Sequence, residues 1–273
     1  MNSDWRKYQG ALVSAKAPHQ EVFTQSLNSE LKKNNAFLAR WITNFDCKRQ
    51  TSFWYIVNDQ EFTLDEFSHK VRNQIKKGLK NLKVEQLSAE DMLDKGFSVY
   101  IKAFEAYKTI SQPLSKEVFN TTLLAFDKNH FWGVFNAEGE LIGFSQNKMK
   151  NDVCEFSITK FHPAYLKLRP SEALFYTMTD YYLNNLKVKY IHNGTRSISH
   201  QTNIHEFLIN KFKFRKAYCY LHIKYQPFFG LIVSCLFPFR KLLAMLNVSL
   251  LRNVNSILLQ EEIKRNCKKE LSC

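Results

Sequence analysis

Between Asp65 and Leu82 apolar side chains return every four positions, at Phe67, Val71, Ile75 and Leu79, while Lys70, Arg72, Lys76, Lys77, Lys80 and the following Lys83 fall between or after them. That spacing places the apolar groups on one face and predicts an amphipathic helix whose other face is basic. Ser52–Val57 is a short apolar and aromatic run closed by the turn formers Asn58 and Asp59, and it predicts a strand. Upstream, Trp5, Trp41 and Phe45 add aromatic weight without a sustained period.

Downstream the periods alternate. Val84–Leu87 predicts a strand, and Ser88 with Asp91 three residues later predicts the start of a helix through Met92, Phe97, Tyr100, Ile101 and Phe104. Pro113 breaks the chain before Ser115, which can cap a second helix burying Val118, Leu123 and Phe126. Three strands follow, Phe131–Phe135, Leu141–Asn147 and Val153–Thr159; Gly139 in the first connection can take positive φ. Pro170 and Ser171 open a helix with Leu174, Met178, Tyr181 and Tyr182 at helical spacing, ending near Asn184 and Asn185. Val188–His192 predicts a strand, Asn203 with Glu206 caps a helix bearing Ile204, Phe207, Leu208 and Phe212, and Tyr218–Tyr225 predicts a last strand stopped by Pro227.

This order predicts an α/β fold, a mixed sheet flanked by helices, with residues 1–68 as an N-terminal extension, 69–225 as the main domain and 226–273 as a C-terminal tail. Ligands in such sheets gather where neighbouring strands diverge.

With 45% hydrophobic residues, 8 Gly and 6 Pro in 273 residues, the chain builds a core and is neither disordered nor collagen-like. Thirty-nine Lys and Arg against 25 Asp and Glu give a formal +14, which favours an anionic partner: nucleic acid, a phosphorylated cofactor or a membrane surface. No finger, recognition-helix or RNA-binding strand signature is present, and the basic face of Lys70–Lys83 is a plain solvated surface, a contact for tRNA or another polyanion, or a seat for acidic lipids. The cysteines at 47, 154, 219, 235, 267 and 273 match no zinc or redox spacing, and Met1–Asp4 does not open a secretory leader. Reduced thiols in a cytoplasmic protein, with no metal site, are expected.

The tail carries seven basic and three acidic residues, +4. Its apolar run Pro227–Phe239 is 13 residues long and contains Pro238, short of the roughly 17 to 25 residues of a spanning helix, so no simple span is expected. Leu242, Leu243, Leu246, Leu250, Leu251, Ile257, Leu258 and Ile263, with Arg240, Lys241, Arg252, Lys264 and Arg265 beside them, predict amphipathic helices. Such helices pack on the domain, lie on the inner face of a membrane, or pair with another subunit.

The strand and helix order resembles the GNAT acyltransferase fold. Trp132–Phe144 is similar to that family's central hairpin, and Phe156–Tyr165 to its fourth strand and exit loop, which with the helix from Ser171 is where those enzymes grip the pyrophosphate of coenzyme A. Arg72–Val84 is similar to the segment opening the acyl-transfer domain of the peptidoglycan bridge aminoacyltransferases, distant relatives of GNAT enzymes. The resemblance spans residues 65–225 and implies transfer of an acyl or aminoacyl group to a small-molecule or lipid-linked amine, with acyl-coenzyme A as the donor in GNAT enzymes. Leu166–Ser171 departs from the usual glycine-rich phosphate loop: aligned from Leu166, Arg169 takes the first glycine position and Ser171 the last. Lys167 and Arg169 can pair with phosphate oxygens in place of the lost backbone approach, or remain solvated charges.

Acyl transfer to an amine needs a base, a proton for the leaving group and donors facing the oxyanion. Glu155, inside an otherwise apolar strand, is the first base candidate, against a solvent-facing alternation position. In the polar segment Asn193–Asn203, His200 can act as a base, Arg196 can bind an anion, and Asn203 can orient an amide or cap its helix. Related acyltransferases place a phenol on the last strand to protonate the leaving group, and by that resemblance Tyr218 holds the role, against a structural aromatic. A non-catalytic protein of the same fold that binds an anion or a membrane surface is the competing expectation.

Overall fold

The coordinates are a computed structural model that describes residues 4–8, 10–106, 112–125, 128–198, 203–246 and 251–272. In chain order the elements are β1 (Trp5–Tyr8), β2 (Ala11–Ser14), α1 (Leu27–Lys33), β3 (Leu38–Cys47), β4 (Phe53–Asn58), α2 (His69–Asn81), β5 (Lys83–Leu87), α3 (Ala89–Glu105), α4 (Lys116–Leu124), β6 (Asn129–Phe135), β7 (Leu141–Lys150), β8 (Val153–Phe161), α5 (Pro170–Thr179), β9 (Tyr190–Thr195), α6 (Ile204–Phe212), β10 (Arg215–Tyr225), α7 (Pro227–Leu236), α8 (Arg240–Met245) and α9 (Arg252–Ser272). They form an α/β protein of mixed sheet and flanking helices. Two compact units divide the chain: Met1–Ile56, Thr195–Ile204 and Lys216–Cys273 make the first, Val57–Gly194 and His205–Arg215 the second.

In the second unit the strands lie in the order β9-β8-β7-β6-β5. β9 pairs parallel with β8, and the other pairs are antiparallel. Side chains alternate across the sheet. On β6, Phe131 and Phe135 join Met92, Val99, Tyr100, Phe119 and Leu123 of α3 and α4 in one core cluster. Trp132, one residue on, packs on Tyr181 and Tyr182 at the end of α5, so α3 and α5 cover opposite faces. The caps are local: the hydroxyls of Ser88 and Ser115 accept from the Asp91 and Val118 amides at 3.0 and 3.3 Å. Gly139 closes the β6–β7 hairpin at φ +77°.

Some expected positions shift. On α4 the buried residues are Phe119 and Leu123, while Val118 is exposed; Phe126 lies outside the described residues. On α2, Val71 and Ile75 are buried but Leu79 is exposed, and Gly78 takes the inward position. A spacing of four overshoots the 3.6-residue turn by about 40° each time, so two steps beyond Val71 the side chain has left the packed face.

The first unit holds strands in the order β1-β2-β3-β10-β4. β10 runs antiparallel to β3, and its Cys219, Tyr220, Leu221 and Ile223 form a core with Ile263 and Cys267 of α9. β1 to β3 and α1 carry no long period in the sequence. α1 is seven residues long, and β3 loses its alternation where Asn44 and Asp46 take positive φ, placing the stretch from Thr43 to Cys47 opposite the shorter stretch from Tyr218 to Tyr220 on β10.

The tail differs from expectation at Pro238. α7, a 3-10 turn and α8 follow without a break, so the helical run Pro227–Met245 has 19 residues and holds an 18-residue window of mean hydropathy 1.7, long and apolar enough by length and composition to cross a membrane. Proline needs no amide donor at the start of a helical turn, and Pro238 sits there.

Candidate active site

β8 and β9 pair in register at Val153↔Tyr190, Cys154↔Ile191 and Glu155↔His192. The pairing ends there, while β8 continues to Phe161 and β9 to Thr195. The Asn193 side chain reaches from β9 to the Phe156 carbonyl at 3.1 Å, just past the last paired residues. One residue further, Gln146↔Ile158 is followed by Asn147↔Phe156, so Ser157 is an extra residue on β8, a bulge at the parting of the strands. The bulge also turns the strand over. Phe156 packs on Phe175 and Tyr182 of the α5 side, whereas Ile158 packs on the α3 cluster.

Glu155 points away from α5, by alternation from Phe156. It lies between Lys148 of β7 and His192 of β9, both in register with it, so a basic side chain, a carboxylate and an imidazole form one row across three strands. Lys150 comes to 3.6 Å of the carboxylate, and both side chains of this pair are about one-fifth exposed. His192 is buried, and its Nδ1 accepts from the Gly194 amide at 3.3 Å, which leaves the proton of the neutral ring on Nε2. Burial pushes its pKa down to about 4, against a smaller opposing pull from Glu155. Next to it, His205 Nε2 meets the Asn193 carbonyl at 3.3 Å. A largely buried carboxylate beside a neutral imidazole and two lysines can take and return a proton.

The exit of β8 leads through a 3-10 turn, Pro163–Leu168, to Arg169, which takes φ +67° before α5 begins. The position aligned with a glycine thus holds the left-handed backbone that glycine favours, with an arginine on it. Three features set this loop apart from a pyrophosphate cradle. A Cβ on Gly78 of α2 would stand 2.8 Å from the Arg169 carbonyl, so α2 is already packed on the loop backbone. Pro170, at the first helical position, has no amide to offer. Glu172 is buried in the first turn, where it accepts from Lys211 at 2.7 Å and from Ser171 at 3.0 Å and lies 3.6 Å from Arg169. Burial works against its charge, but the Lys211 hydrogen bond and charge, with Ser171, prevail and hold the carboxyl below its ordinary range. The helix end that would attract a phosphate already has a carboxylate. The residues present do not fit the pyrophosphate of coenzyme A.

Of the residues singled out in the sequence, Glu155 therefore sits in the row, and Arg169 and Ser171 are engaged with Glu172, with Lys167 exposed on the turn. Tyr218 and Arg196 belong to the first unit, where the Arg196 guanidinium donates to the Ser52 carbonyl at 2.6 Å. Asn203 is exposed in the same unit, and His200 lies outside the described residues. His192, Lys148 and Lys150 were not singled out. A histidine ending an apolar strand was the one available signal, and its meaning comes from register with a strand 37 residues earlier.

No family model matches the chain, and no curated protein matches it. Solved structures do. The structure of FemX aligns with a TM-score of 0.55 at 10% identity, covering 84% of this chain and 85% of that one. The C-terminal domain of a putative lysylphosphatidylglycerol synthetase from Agrobacterium fabrum aligns at 0.52 and 11%, covering 84% and 83%. L-PGS from Bacillus licheniformis aligns at 0.52 and 13%, covering 95% and 85%. At such identities the likeness is one of fold alone, a mixed sheet flanked by helices that is consistent with a GNAT-like fold.

Proposed function

We propose that the chain is an acyltransferase that moves an acyl or aminoacyl group from an ester donor to an amine, the acceptor being a precursor of the cell envelope. The observation that carries this reading is the Glu155 row at the parting of β8 and β9, beside the Ser157 bulge. A fold shared with a putative lysylphosphatidylglycerol synthetase, whose name describes joining an amino acid to a lipid, supports the aminoacyl and envelope parts. An ester donor such as aminoacyl-tRNA is preferred to a coenzyme A thioester because Glu172 fills the α5 terminus.

In this mechanism the amine nitrogen attacks the ester carbonyl and the carbonyl π electrons move onto oxygen, where amides at the bulge hold the charge. Glu155 takes the proton released from nitrogen. As the tetrahedral intermediate collapses, the C–O bond to the donor breaks and the same proton goes to the departing alkoxide. Lys150 faces the carboxylate with an opposite charge at 3.6 Å, and no covalent enzyme intermediate is needed when both substrates are held together.

The test is single-turnover transfer from radiolabelled aminoacyl-tRNA to amine acceptors, wild type against Glu155→Gln. Loss of a positioned general base predicts a fall of about 100-fold or more in the transfer rate with an unchanged circular dichroism spectrum. Equal rates in the two proteins, or no transfer by the wild type from any ester donor, would remove the reading.

A further inference from the structure

The outward face of the helical run Pro227–Met245 is apolar where a surface helix is ordinarily polar. Phe228, Leu231, Ile232, Phe239, Leu242 and Met245 are exposed, Phe228 and Met245 to 77% and 80%. They recur at intervals of three, one, seven, three and three residues, and Cys235, also exposed, fills the gap of seven, so they form one stripe along the helix. Of its most apolar 18-residue window only 6% is buried.

The opposite side of the helix is occupied. Val233 is buried in the protein, Phe229 packs on Phe37 and Tyr225, and Gly230 lies against Tyr225. Arg240 is tied to Glu262 of α9 at 2.9 Å, with its guanidinium 4.3 Å from the centre of the Phe237 ring, which Arg265 also approaches, at 3.8 Å. A spanning helix would need every side free to face lipid or other helices. This one has a single free side, and Arg240, in its last third, is committed to the protein.

Along the seam between this helical run and α9 the charge is basic. One groove is lined by Arg240, Lys241 and Arg252 with Glu262 as its one acid. A second, at the Phe237 end, is lined by Arg240, Arg265, Lys268 and Lys269, again with Glu262 as its one acid. An apolar stripe with a cationic border matches the boundary between acyl chains and anionic headgroups.

We infer that the stripe Phe228–Met245 is a docking face for an anionic phospholipid bilayer, on which the helix lies in the plane of the surface with its outer side chains among the acyl chains and Lys241 and Arg252 among the headgroups. The inference stands on the first unit alone and does not require the transfer reading.

The test is flotation of the full-length protein with vesicles of phosphatidylcholine alone or mixed with phosphatidylglycerol. The wild type floats with the mixed vesicles and stays below with the neutral ones, and high salt weakens the binding. Phe228→Asp combined with Leu242→Asp abolishes flotation without lowering the melting temperature, because both side chains are already in water. Lys241→Glu combined with Arg252→Glu weakens partitioning by about tenfold or more. A polarity-sensitive label on Cys235, in a protein with Cys47 and Cys273 changed to Ser, shifts to the blue on mixed vesicles. The inference is overturned if the wild type floats with neither vesicle, or if the double aspartate variant floats as well as the wild type. Resistance of the bound protein to alkaline carbonate, the mark of a span, also overturns it, as does a solution dimer that the aspartate pair dissolves while vesicles bind neither form.

Discussion

A buried imidazole held near pKa 4 ties stability to pH in a definite direction. The unfolded His192 titrates near 6.5 and the folded one near 4, so between those values the unfolded chain binds a proton that the folded chain refuses. The His192 contribution is therefore complete above pH 6.5 and is lost as pH falls through 4, by about 3 kcal/mol over the window. Urea unfolding of the wild type at pH 7 and pH 4.5, compared with His192→Gln, should show the slope in the wild type and a smaller one in the variant. Equal slopes would mean that the folded ring takes up its proton as readily as the unfolded one. Glu155 was legible in the sequence as a lone acid in an apolar strand, whereas the meaning of His192 was not. Its row depends on a parallel pairing between strands separated by a helix, which local composition does not encode.

Among the elements, α2 and α5 carry the sharpest constraint. Gly78 costs α2 some intrinsic helicity, about 1 kcal/mol relative to alanine, yet its missing Cβ lets the helix approach the Arg169 carbonyl and Ala173. Gly78→Ala should gain the propensity and lose more to the 2.8 Å contact with backbone, for a net destabilisation of about 1 to 2 kcal/mol, measured as a lower midpoint in urea. A midpoint that rises instead would show that the loop yields. Helix capping was readable at Ser88 and Ser115 because a cap is a matter of three or four neighbouring residues. The inward positions of α2 and α4 were readable only to within one residue. A pattern fixes that a face is apolar, while the partner's shape selects Gly78 over Leu79 and Phe119 over Val118.

For the molecule as a whole, the formal charge of +14 invites an anionic ligand, and the folded structure narrows where one can go. At α5 the invitation is withdrawn by Glu172. A ligand at 100 times its dissociation constant adds about 2.7 kcal/mol of stability, which is several degrees of melting temperature in a chain of this size. Millimolar coenzyme A or acetyl-coenzyme A should leave the melting temperature of the protein unchanged, and a rise of several degrees would restore the phosphate loop as a donor site. The sequence alone determined the alternation of strand and helix over residues 84–225 and hence the class of fold, because hydrophobic period and capping are local properties of neighbouring residues. It also determined the excess of positive charge, which is a sum over the chain. Only the tertiary structure decided that Lys148, Glu155 and His192 form a row, that a carboxylate closes the helix end, and that one face of the Pro227–Met245 helix is left uncovered by the protein. Register, burial and exposure are relations between segments far apart in the chain, and they acquire values only when those segments meet.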